Sequence, residues 1–114
     1  MQGVEILEYL DPAGRSPFAL SFGGLNAVAA ARVTVAVTRL GNGNFSNVEG
    51  AGVYEYKIDF GPGYRIYFGK HGERVVILLG GSAKKRQSAA IAAAQMAWSA
   101  YKRAKADKGG EKWH

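Results

Sequence analysis

Lys57 and Asp59 lie on one side of Gly61-Pro62-Gly63, and Arg65 and Tyr67 lie on the other, each pair at alternate positions. In extended backbone such spacing places side chains on a common face. A guanidinium offers paired donors to two phosphate oxygens, an ammonium adds a point charge, and a phenol can stack on a base or carry a proton. The set therefore suits an anionic, phosphate-bearing ligand. Farther along, Lys84-Lys85-Arg86 places successive cations at the start of an expected helix, where the helix dipole disfavours them. Two readings of that cluster stand side by side: a phosphate cradle, or long side chains turned into water. Asp59 is the sole acid on its face, and pairing with Arg65 accounts for it better than a metal, since magnesium takes several oxygen ligands. His71 falls in a Lys70-His71-Gly72 turn and reads as solvated, while His114 belongs to the tail.

The elements that must position these residues follow from pattern. Val4 to Leu10 alternates as an opening strand, closed by Asp11-Pro12-Ala13-Gly14. Ser16-Pro17 opens a short helix that Gly23-Gly24 stops, and Asn26 caps a second helix from Ala27 to Leu40, ended by Gly41. Val33, Val35 and Val37 alternate as a strand would, but the alanine-rich start and the cap favour helix. Residues 41–52 read as a glycine-rich loop. Tyr54 to Phe60 and Tyr64 to Phe68 form a hairpin, Val75 to Leu79 a central strand, and Ile91, Ala94, Trp98 and Tyr101 the packed face of a long last helix. With Gly61, Pro62 and Gly63 as the loop, Asp59 faces Arg65, Ile58 faces Ile66 and Lys57 faces Tyr67. Tyr64 then belongs to the buried face. No other segment is apolar enough to cover the face of Lys57, Asp59, Arg65 and Tyr67, so it is expected to be open.

Size and charge set outer bounds. A chain of 114 residues makes one domain, expected over residues 1–104, with 105–114 as a charged flexible tail. No apolar run approaches the ~18–20 residues of a membrane span, and no leader pattern is present. Without cysteine, disulfides and thiolate metal sites are excluded, and the cytoplasm is the expected location. The net charge of +6 is uneven: four Lys/Arg against five Asp/Glu in residues 1–57, eleven against four in residues 58–114. Such asymmetry suits an anionic partner, whether nucleic acid, acidic protein or membrane surface, and equally a well-solvated surface.

The run from Val53 to Gly69, with Gly61-Pro62-Gly63-Tyr64-Arg65 at its centre, resembles the addiction-module killer proteins, HigB-like members of the RelE/ParE toxin superfamily. The likeness extends to Val4-Glu5-Ile6, Asp11-Pro12, Arg15-Ser16-Pro17-Phe18, Gly43-Asn44-Phe45, Leu78-Leu79-Gly80-Gly81 and Lys84-Lys85-Arg86-Gln87. It implies an α+β domain of order β-α-α-β-β-β-α, with a mostly antiparallel central sheet and helices packed on one face. It also implies the toxin of a bacterial type II toxin–antitoxin pair. RelE and HigB members cleave mRNA on the ribosome, whereas ParE members poison DNA gyrase. The implied partners are a cognate antitoxin of helix-turn-helix, HigA-like type, together with ribosome and mRNA; no cofactor or metal is implied.

The family's working positions match Lys57, Arg65 and Lys84 to Arg86 here. Metal-free cleavage uses the RNA's own 2′-hydroxyl, so the protein orients it, neutralises the phosphate and moves protons. On that scheme Arg65 grips the scissile phosphate, Lys57 and one of Lys84, Lys85 or Arg86 share charge stabilisation, with Lys85 and Arg86 as phosphate-binding positions, and Tyr67, or second to it Lys57, transfers a proton, Tyr67 also being able to stack on a base. Ser88-Ala89-Ala90 stands where the family often continues with a charged stretch, and Glu49 where a basic residue is common. Three function classes follow: a ribosome-dependent endoribonuclease, a gyrase inhibitor, and a catalytically weak relative that retains antitoxin binding.

Overall fold

A computed structural model describes residues 5–40, 46–47, 52–72 and 74–109. Gly41, expected to stop the second helix, and Glu49 lie outside the described residues, as does His114. The elements are β1 (Glu5–Glu8), α1 (Pro17–Phe22), α2 (Ala27–Leu40), β2 (Ser46–Asn47), β3 (Tyr54–Ile58), β4 (Tyr64–His71), β5 (Val75–Ala83), a 3-10 turn (Lys84–Arg86) and α3 (Gln87–Gly109). This is the expected α+β order with one additional short strand, β2. The last helix continues through 105–109, where the sequence reading begins a tail.

Local chemistry sets the helix starts. The Ser16 hydroxyl accepts from the Ala19 N–H at 3.0 Å, with Pro17 in the first turn. Asn26 Oδ1 accepts from the Ala29 N–H at 2.9 Å. The Val33–Val37 conflict resolves as helix because Ala29, Val33, Ala36 and Leu40 bury one stripe. The intervening threonines remain satisfied, each donating its hydroxyl one turn back: Thr34 to the Ala30 carbonyl and Thr38 to that of Thr34.

The sheet runs β1-β5-β4-β3-β2, with β1 parallel to β5 and the other neighbours antiparallel. β4 is the middle strand, and β5, interior between β1 and β4, buries Val76 to Leu79 on both faces. Val76 and Leu78, with Ile66 and Phe68 of β4 and Ile58 of β3, meet α2 and the phenylalanines of α1. The alternate residues Ile77, Leu79 and Tyr67 meet Ala94, Ala97 and Trp98 of α3 on the reverse side. The face expected to be open is therefore partly covered by α3. Glycines admit both layers: a Cβ at Gly81 would collide with the Phe22 ring, and one at Gly69 with the Trp98 ring.

Candidate nucleic-acid interface

The hairpin places Ile58 opposite Tyr64, Lys57 opposite Arg65 and Glu55 opposite Tyr67. The sequence reading set Asp59 against Arg65, so this register is a correction. Its cause is the turn: Asp59 and Phe60 leave the ladder, the Gly63 N–H donates to the Phe60 carbonyl at 3.0 Å, and Gly61 and Gly63 take positive φ of 60° and 86°. The register moves by an even number of residues, so the face assignments survive. Lys57, Arg65 and Tyr67 still share one side.

Arg65 on that side is held from beneath. Its Nη1 donates to Glu55 Oε2 at 2.6 Å, with side-chain exposures of 13% and 9%. Gln87 Nε2, from the first residue of α3, donates to the same oxygen at 3.1 Å. Glu55, not singled out in the sequence, thus ties β3, β4 and α3 together. Its signal was present, a carboxylate two residues before Lys57 on the same face of the same strand, and it corrects the reading of Asp59 as the sole acid there.

Tyr67 does not reach solvent. It is fully buried under α3, its hydroxyl 3.4 Å from Ser82 Oγ, and burial raises its pKa above the ordinary value for a phenol. A group so placed neither stacks on an incoming base nor donates its proton to one, which corrects the role expected for it. The reason is α3, whose Trp98 and Ala94 close over β4 and β5.

The basic triplet divides. The Lys84 N–H donates to the Gly63 carbonyl at 3.0 Å, which fastens this turn to the hairpin tip and removes that N–H from any phosphate cradle. All three cations are exposed. Lys84 joins Lys57, Asp59 and Arg65 around a cleft of about 400 Å³ floored by the Gly61–Gly63 turn. Arg86 instead borders a separate cleft of about 550 Å³ with Leu20, Tyr64 and Ala83. The structure thus brings Lys57, Arg65 and Lys84 together, leaves Lys85 exposed on the turn and directs Arg86 elsewhere. His71 ends β4, away from the hairpin tip.

What fold and site define is an α+β protein with a mixed sheet and a cationic cleft at one hairpin tip. It belongs to the same family as an uncharacterized protein of Haemophilus influenzae, with 36% identity over 73 residues, 62% of this chain and 74% of that protein. No family model matches the chain, and no solved structure matches it. Among the described residues, no helix is long and apolar enough to cross a membrane.

Proposed function

We propose that this chain is the toxin of a bacterial type II toxin–antitoxin module: a metal-independent endoribonuclease of the cytoplasm that cuts mRNA on the ribosome and is restrained by a cognate helix-turn-helix antitoxin. The observation that carries the reading is the meeting of Lys57, Arg65 and Lys84 around one cleft. The element order that accompanies the sequence resemblance supports it. In this scheme the RNA supplies the nucleophile, its 2′-hydroxyl, which attacks the adjacent phosphorus as the 5′-oxygen leaves. Arg65, oriented by Glu55, donates from its remaining N–H groups to the phosphate oxygens. Lys84 adds charge from the turn. With Tyr67 buried, proton transfer passes to groups that line the cleft, and Lys57 holds that role.

Tyr67's burial favours a second reading, a relative that binds its antitoxin but cleaves weakly. Inducing the wild type and Lys57→Gln, then mapping transcript ends, separates the readings. Removing the proton-transfer group lowers cleavage at least about 100-fold, so cuts in the wild type that fade in the variant support the nuclease. Growth arrest with intact transcripts and a DNA-damage response indicates gyrase. Absence of arrest, with an antitoxin retained on purification, indicates the binding-only relative.

A further inference from the structure

A second groove borders the first. About 520 Å³ of space lies between α2 and β3, and its lining includes Arg32, Arg39, Tyr56 and Phe60. It shares Lys57, Ile58 and Asp59 with the hairpin-tip cleft, so the two adjoin at the end of β3. Among the described residues, β2 pairs with β3 at Tyr54 and Glu55, the end of β3 away from the groove's Lys57, Ile58 and Asp59. Arg32 and Arg39 are separated by two helical turns and both are exposed along the groove. The Arg32 guanidinium lies over the Phe60 ring at 4.7 Å. A guanidinium stationed over an aromatic ring is a planar cation on which a base can stack. Cations interleaved with such platforms are what a single strand requires: charge for each phosphate and a flat surface for a base. Asp59 is the carboxylate at the junction, outnumbered by the cations on either side.

We propose that single-stranded RNA leaving the Lys57–Arg65–Lys84 cleft passes the end of β3 and continues in the α2–β3 groove, with Arg32 and Arg39 on its phosphates and Arg32 also stacked on a base. This extends the nuclease reading and rests on it. The test titrates a short fluorescent oligouridylate into wild type, Lys57→Gln, Arg39→Gln and the Arg32→Gln/Arg39→Gln double variant over a range of salt. Glutamine keeps much of the arginine stem, and Arg39→Gln alone carries the result if Arg32 proves necessary for folding. Each lost phosphate contact makes the plot of log affinity against log salt shallower by about 0.7, so the double variant shifts it by about 1.4. If the wild type binds, Lys57→Gln weakens binding and both arginine variants match the wild type, the groove lies off the path while the cleft reading stands. If the wild type binds no RNA, the groove proposal falls, while the cleft reading is decided separately by the transcript map.

Discussion

Arg65 enters its cleft with one nitrogen already bonded to Glu55, and both groups are nearly excluded from water. The pair holds the guanidinium in a fixed orientation, which favours electrostatic preorganisation, but its single variants are hazardous. Among the described residues, Arg65→Ala leaves the buried Glu55 carboxylate with Gln87 as its side-chain donor, and the expected loss is about 3–5 kcal/mol, read by urea denaturation. Loss of the proposed cleavage in that variant would report unfolding as much as chemistry. Glu55→Leu with Arg65→Met, which replaces the charges by apolar volume, is expected to cost far less than either single change in a double-mutant cycle. Tyr67 makes a pH-dependent contribution. Because burial raises its pKa, the folded protein retains a proton that the unfolded chain releases above about pH 10. The associated stability is complete below that pH and declines as pH rises through the folded-state value. Thermal melts from about pH 9 to 11 should therefore fall less steeply for Tyr67→Phe than for the wild type.

Each helix has a place prepared for it in the strands. Gly69 gives Trp98 its seat on β4, so Gly69→Ala is expected to cost about 1–3 kcal/mol, and Trp98→Leu in the same chain should recover part of it. Had that glycine been weighed in the sequence, it would have indicated a close approach on the supposedly open face. The helices themselves were readable because caps at Ser16 and Asn26, the Gly23 stop of α1 and the buried stripe of α2 agreed. The hairpin was readable too, but its register was not: Gly-Pro-Gly fits both a tight loop and a longer one that takes in Asp59 and Phe60, and only three-dimensional packing chooses. The cleft was legible to the extent that face parity decides it. Lys57 and Arg65 follow from alternation, whereas Glu55 beneath Arg65 and the cover over Tyr67 depend on where α3 comes to rest. Arg32 and Arg39 could not be recognised before α2 was set beside β3.

Across the whole molecule, charge and topology act over longer distances. If Arg32, Arg39, Lys57, Arg65 and Lys84 each meet a phosphate, the log–log salt slope of RNA binding is expected to be about −3.5 for the wild type, measurable by fluorescence anisotropy. A slope near zero would assign the excess charge to solvation alone. Topology has its own effect, through the parallel pairing of β1 with β5, which joins Glu5 to Val75 and Glu8 to Leu78. A strand made early in translation must wait for a neighbour encoded far downstream before its hydrogen bonds can close. Until β5 leaves the exit tunnel, the nascent chain has no central layer, and neither the cleft nor its adjoining groove exists. For a chain proposed to damage translation, that delay means that the ribosome making it meets an inert polypeptide until β5 has emerged.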